Sequence, residues 1–123
     1  GGSCFGSPGH QVLSPLSASG PNVFNRNRTV PVKFRVCDAA GISIGTPGVV
    51  RSFLLVEIVD GSTVTQVSQA PESTNGDTAF RWDPVDRLWI FNLTTKSLTA
   101  GLAYEYRITL ADGSAIEFSF ALR

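Results

Sequence analysis

Apolar and polar residues alternate along several stretches of this chain. In residues 29–36 the alternate positions on one face are all apolar, and the other face carries Pro31, Lys33 and Arg35. The same period of two recurs in residues 104–110 and 115–122. A period of two indicates a β-strand with one buried face. The apolar faces of these three stretches comprise Val30, Val32, Phe34, Val36, Tyr104, Tyr106, Ile108, Leu110, Ile116, Phe118, Phe120 and Leu122.

Turn residues separate the apolar stretches at short intervals. Asp60-Gly61 and Asp112-Gly113 are hairpin signals, because glycine accepts a positive φ angle. Asp83 to Asp86 forms a further turn around Pro84. No segment keeps a helical period. The pattern predicts an antiparallel, immunoglobulin-like β-sandwich of about seven or eight strands. The predicted strands are residues 29–36, 51–59, 62–69, 78–82, 87–93, 104–110 and 115–122, with an edge strand in residues 12–16.

The first 28 residues differ in composition from the rest. They are rich in Gly, Ser, Pro and Asn, and Pro8, Pro15 and Pro21 exclude a helix. A short apolar stretch in residues 12–16 is typical of an edge strand, where proline is tolerated. A length of 123 residues is that of one domain. We expect residues 1–28 to form an arm that packs on a sandwich built from residues 29–123.

Two predicted strands are apolar on both faces. Only Glu57 is polar in residues 53–59, and only Asn92 is polar in residues 88–93. A sandwich strand with one face in water should alternate, so something should cover the second face. If the two strands are neighbours in one sheet, that face is one contiguous apolar patch. The candidate patch residues are Phe53, Leu55, Trp82, Trp89 and Phe91.

Three covers for this patch remain open from the sequence. The arm, with its apolar residues between Val12 and Phe24, could fold over it. A neighbouring domain or subunit could bind it, since large exposed apolar patches mark interaction sites. Trp82 or Trp89 could instead form a platform on which a glycan stacks.

Charge and composition exclude several classes of function. Ten basic and ten acidic residues give a formal net charge of zero, which argues against binding to nucleic acid or to an anionic membrane surface. No apolar run is long enough to cross a bilayer. With 42% hydrophobic and 16% charged residues, the chain should fold rather than stay disordered.

Candidate catalytic and metal-binding residues are few. The chain has one histidine, His10, and no nucleophile lies in a motif that would pair with it. Asp83 and Asp86 are spaced for a shared Ca²⁺, but aspartates in turns more often cap their own backbone. We therefore expect no catalytic residue, no metal and no cofactor, and a protein that is not an enzyme.

The absence of methionine suggests an excised or processed chain, from which a secretory signal could have been removed.

Two blocks of sequence resemble the PxKF domain family. The first is Val30-Pro31-Val32-Lys33-Phe34 with Val36-Cys37-Asp38-Ala39-Ala40-Gly41. The second runs from Trp89 to Gly101 and continues through Tyr106-Arg107-Ile108-Thr109-Leu110-Ala111-Asp112-Gly113. The resemblance covers roughly residues 11–123. This sequence differs from the family pattern in Cys4, Cys37 and Leu102-Ala103.

The resemblance implies an immunoglobulin-like module of secreted or cell-surface prokaryotic proteins, with no established catalytic residue or ligand. We expect an extracellular structural or adhesive module whose partners are other domains of its parent protein or other surface-protein copies. Two alternatives stay open. One is a subunit of a surface polymer or filament whose arm, residues 1–28, donates a strand to the next copy. The other is a glycan-binding module, with polysaccharide as its partner.

The two cysteines are compatible with one disulfide in an extracellular chain. A Cys4–Cys37 bridge would close a loop of about thirty residues and stabilise the fold by roughly 3–4 kcal/mol. Two unrelated thiols and a bond between chains are the alternatives.

Overall fold

The computed structural model describes residues 10–17 and 20–123 and contains nine β-strands and no helix within them. The strands are β1 (His10–Val12), β2 (Val23–Phe24), β3 (Thr29–Val36), β4 (Val50–Asp60), β5 (Thr63–Gln69), β6 (Arg81–Asp83), β7 (Leu88–Thr94), β8 (Ala103–Leu110) and β9 (Ala115–Leu122). The predicted turns are present, and Gly61 and Gly113 have φ angles of 59° and 87°.

The strands form two sheets. One has the order β1-β3-β7-β6, and the other has the order β2-β9-β8-β4-β5. All pairings are antiparallel except that of β2 with β9. One apolar core contains buried residues from both sheets, so the prediction of a β-sandwich is confirmed.

The alternation predicted from the sequence matches the burial of the strands. In β8 and β9, every apolar residue on the predicted inner face is buried, and in β3 the same holds for Val30, Val32 and Phe34. Aromatic rings join the two sheets: the ring of Phe53 in β4 lies 5.1 Å from that of Phe91 in β7. Tyr106 and Phe118 stack at 5.3 Å on neighbouring strands.

The two doubly apolar strands are not neighbours. β4 belongs to the five-stranded sheet and β7 to the four-stranded sheet, so the condition for one contiguous apolar face on neighbouring strands is not met. Their inner residues Leu55 and Phe91 instead both belong to the core between the sheets. The opposite faces of these strands point away from each other, with Leu54 on one outer surface and Ile90 on the other, both half-buried.

The described part of the predicted arm, residues 10–17 and 20–28, contributes to both sheets. β1 pairs with β3, and β2 pairs with β9, so each extends a sheet by one edge strand. Leu16 lies between them and is buried in the core, with 3% of its surface exposed. Val23 is 47% exposed. The predicted edge strand at 12–16 is therefore shifted, because it ends at Val12 and leaves Leu16 free to enter the core.

The strand predicted at residues 78–82 is also shifted. β6 spans only Arg81–Asp83, and residues 75–80 form a loop. Phe80 at the end of this loop is buried against Phe34, with ring centroids 4.9 Å apart. The loop thus places an aromatic side chain in the core at the edge of the sandwich.

Candidate functional site: an aromatic cleft at one edge of the sandwich

A cavity lies between the two sheets, at the edge that β4, β5 and β6 form. Its volume is about 480 Å³, which falls within the usual range of ligand pockets. We call it the aromatic cleft. Its lining residues are Gly45, Pro47, Gly48, Val50, Arg51, Ser52, Phe53, Ala70, Pro71, Thr78, Ala79, Phe80, Trp82, Trp89 and Phe91.

Five aromatic side chains form the apolar surface of the cleft. Phe53 packs against Phe80 at 4.9 Å, and Phe80 packs against Phe91 at 5.6 Å. Trp82 and Trp89 pair at 5.4 Å with their planes tilted by 56°. Edge-to-face and tilted pairs of this kind hold rings in fixed orientations. Aromatic side chains of the packed core are therefore accessible from the surface at the cleft.

The position of Trp82 depends on Gly45. A β-carbon built on Gly45 would lie 2.1 Å from Cε2 of Trp82 and 2.4 Å from its Cζ2. Real carbon contacts lie near 3.5–4.0 Å, so only a residue without a β-carbon allows this approach. The indole of Trp82 therefore rests directly on the backbone at Gly45.

Hydrogen bonds fix the loop that carries Gly45. The hydroxyl of the buried Ser43 donates to the carbonyl oxygen of Arg87 at 2.7 Å, and the Arg87 guanidinium donates to the carbonyl oxygen of Ser43 at 2.9 Å. Nε1 of Trp89 donates to the carbonyl oxygen of Ile44 at 3.0 Å. The two residues that precede Gly45 are thus tied to Arg87 and Trp89 at the start of β7.

One side of the cleft is an unpaired strand edge. β5 pairs with β4 only from Leu55 to Asp60, and it ends at Gln69. Pro71 follows two residues later, and proline cannot continue a hydrogen-bonded ladder. Residues 50–53 of β4 pair with β8 on one side, but within the described part of the chain nothing supplies a backbone partner on the other.

After Pro71 the chain crosses to the opposite sheet and closes one end of the cleft. The amide of Thr94 donates to the carbonyl oxygen of Glu72, and the amide of Thr74 donates to that of Asn92. The other end is closed by Pro47 and Gly48, just before β4. The cleft thus runs along β4 from residue 50 to residue 53.

The cleft carries little charge. Among the described residues that line it, Arg51 is the only ionisable one, and its guanidinium donates to the carbonyl oxygen of Ala111 at 2.8 Å. The guanidinium of Arg87 lies 5.7 Å from the ring centre of Trp82, within the range of a cation–π contact. A ligand of this cleft would meet mainly apolar and aromatic surface.

Four of the five patch residues predicted from the sequence line this one cleft: Phe53, Trp82, Trp89 and Phe91. Trp82, Trp89 and Phe91 share the inner face of the four-stranded sheet, and Phe53 reaches the cleft from the opposite sheet. Leu55, the fifth, is buried in the core beside a smaller pocket. The sequence analysis did not identify Gly45, Phe80 or the crossing at Ala70-Pro71 as parts of a site. The only signal for them in the sequence was Pro71, which follows the end of a polar strand.

The other candidate groups have structural partners. Oδ1 of Asp83 accepts the backbone amides of Val85 and Asp86 at 2.9 and 3.2 Å, so Asp83 caps its own turn. His10 lies in β1, and burial lowers its pKa. Burial raises the pKa of Tyr106, which lies in the core.

Three carboxylates lie near each other on the outer face of the five-stranded sheet. Glu57 and Glu105 are opposite one another on β4 and β8, and Glu117 forms an ion pair with Arg107 at 2.9 Å. Burial, followed by the charges of Glu57 and Glu117, raises the pKa of Glu105. Among residues 10–17 and 20–123, no cluster of three or more metal-ligating side chains is arranged to hold a metal ion.

Cys37 directly follows β3 and is half-buried. Its backbone forms an isolated β-bridge with that of Ser43. Cys4 lies outside the described residues, so the disulfide stays a prediction. His10 lies opposite Val36, the neighbour of Cys37 in sequence. Six residue steps separate Cys4 from His10, and a chain of that length reaches at most about 20 Å, so the bridge is within reach.

No helix in the described ranges has the length and apolar character needed to cross a membrane. Comparisons with protein-family models, with curated proteins and with solved structures found no match to this chain.

Proposed function

We propose that this chain is a non-catalytic, extracellular structural or adhesive module that binds a protein segment through the aromatic cleft. The observation that carries the proposal is the cleft itself, where Phe53, Trp82 and Trp89 of a rigid core line an opening of about 480 Å³. Aromatic side chains in concave, desolvated positions are the usual anchors of protein contacts. The nearly uncharged lining favours an apolar segment of a partner.

The order of the strands supports an immunoglobulin-like module. Immunoglobulin sandwiches pair strands A-B-E-D in one sheet and G-F-C in the other, with C′ added beside C in variable types. If β1, β3, β7 and β6 are A, B, E and D, the second sheet reads G, F, C and C′ through β9, β8, β4 and β5. This agrees with the resemblance to PxKF domains and with a place on the cell surface.

Glycan binding is the second candidate, favoured by Trp82. Its indole is half-buried, lines the cleft and has Arg87 over its ring. The cleft nevertheless places few polar side chains beside this tryptophan, and sugars need hydrogen-bond partners as well as a ring. Strand donation by the arm has less support, because β1 and β2 both pair within their own chain.

Two ligand arrays separate these candidates. We expect the purified chain to bind apolar members of an array of uncharged peptides and to leave an array of bacterial and plant oligosaccharides unbound. Trp82→Ala should remove binding, whereas Val64→Ala on the exposed strand β5 should leave it intact. Binding to oligosaccharides alone would favour the glycan module, and two blank arrays would contradict the assignment of the cleft as a binding site.

A further inference from the structure

Beside the cleft, part of the edge of β4 has no neighbouring strand among the described residues. The aromatic cleft therefore lies where one more strand could pair with β4. β4 has eleven residues, but β5 covers only the part from Leu55 onward. The uncovered part, residues 50–54, lies next to β8 on one side, and residues 50–53 line the cleft on the other. From residue 50 to residue 55 the edge is about 17 Å long, the length of roughly five residues of extended chain.

We propose that the partner of this protein is an extended, uncharged peptide segment that adds to the five-stranded sheet as a strand along residues 50–54 of β4. The inference rests on the proposed function and specifies how the partner binds. In an antiparallel ladder, alternate residues direct their N–H and C=O groups to opposite edges. About every second residue of this part of β4 therefore presents to the cleft a donor and an acceptor that no backbone group of residues 10–17 and 20–123 pairs.

The side-chain pockets of the cleft match the geometry of an added strand. Successive side chains of a strand point to opposite faces, so every second residue of the peptide would point between the sheets. There it would meet Phe53, Phe80 and Trp82, while the intervening residues would face solvent. Strand addition of this kind takes affinity from main-chain hydrogen bonds and specificity from alternate side chains.

The closed ends of the cleft limit the length of the strand. Pro47 and Gly48 close the end near residue 50, and Ala70-Pro71 close the end near residue 55. β5 occupies the continuation of the edge, so the added strand would be collinear with β5 and would not displace it. The neutral lining favours a segment without charged residues at the inward positions, because burying an unpaired charge is costly.

The test uses blocked pentapeptides in which threonine alternates with Val, Ile, Leu or Phe, because the cleft accommodates about five extended residues. Both tryptophans of the chain line the cleft, so their fluorescence reports binding directly. The best peptide is then prepared in two N-methylated forms, one methylated at the odd positions and one at the even positions. A strand paired along one edge should lose roughly tenfold or more in affinity from one form and little from the other.

Amide hydrogen exchange supplies the second readout. Bound peptide should protect amides within residues 50–54 and leave those of β5 unchanged. Thr78→Lys at the exposed rim of the cleft should weaken binding, and Val64→Lys on β5 is the matched control for the added charge.

The outcomes separate the mode of binding from the proposed function. If both N-methylated peptides bind as well as the parent, the cleft binds side chains without strand addition: the inference then fails and the proposed function stands. Failure of every peptide would overturn both. Binding that survives Thr78→Lys and leaves residues 50–54 unprotected would place the partner elsewhere and would also overturn the inference.

Discussion

Gly45→Ala tests whether the rigid wall of the aromatic cleft depends on the contact between Trp82 and the backbone. The new β-carbon would lie 2.1 Å from the ring, about 1.4 Å inside the nearest ordinary carbon contact. Overpacking of this kind costs roughly 1–3 kcal/mol. Gly45 is not among the glycines with positive φ angles, so alanine fits the backbone and the clash is the only adverse effect.

The expected net effect is smaller than the clash alone. Replacing glycine by alanine restricts the unfolded chain and stabilises the fold by roughly 0.4–1 kcal/mol. We therefore expect Gly45→Ala to lower the free energy of unfolding by about 1–2 kcal/mol. Urea unfolding followed by tryptophan fluorescence would measure this difference, and Trp89 still reports when Trp82 is replaced.

A double-mutant cycle assigns the cost to the correct pair of residues. In the Trp82→Ala background the ring is absent, so Gly45→Ala should become neutral or slightly stabilising. The coupling between the two changes should be about 1–3 kcal/mol, because the difference between the backgrounds isolates the cost of the clash. If Gly45→Ala destabilises both backgrounds equally, the indole does not rest on Gly45 and the description of the cleft wall is wrong.

Four further predictions follow from the core, from the arm and from the cysteines. Leu16→Ala should lower the free energy of unfolding by about 2–5 kcal/mol in a denaturant titration, because Leu16 is buried between the sheets; a loss under 1 kcal/mol would contradict its place in the core. Thr95→Val should lower it by about 1–3 kcal/mol, because the fully buried hydroxyl both donates to and accepts from the backbone, whereas Thr95→Ser should lose less. Because burial raises the pKa of Tyr106 in the folded protein, the unfolded chain releases that proton first, so stability should fall as pH rises above about 10 and Tyr106→Phe should flatten this fall. The intact mass without reductant should lie about 2 Da below the dithiol value if Cys4 and Cys37 are joined, and two free thiols in oxidatively purified protein would refute the bridge.

The sequence determined the β-sandwich and its core because both depend on local alternation. Every second residue in β8 and β9 is large and apolar, and a period of two leaves only one way for these strands to bury that face. The hairpin at Gly61 was equally local, since its turn requires a residue that tolerates a positive φ angle. β6 begins later than predicted because the burial of Phe80 in the core stabilises the loop. This stabilisation outweighs the strand propensity of residues 78–80.

Only the tertiary structure decided what the doubly apolar strands do. The sequence marked Phe53, Trp82 and Trp89 as unusual, but the pairing of strands distant in sequence put β4 and β7 in opposite sheets. The cleft forms where three features that are distant in sequence come together. Gly45 lies under Trp82, Pro71 follows the end of the strand that pairs with β4, and Phe80 enters the core. A site of this kind is set by the distances between the two sheets, and those distances are fixed only when the whole sandwich has packed.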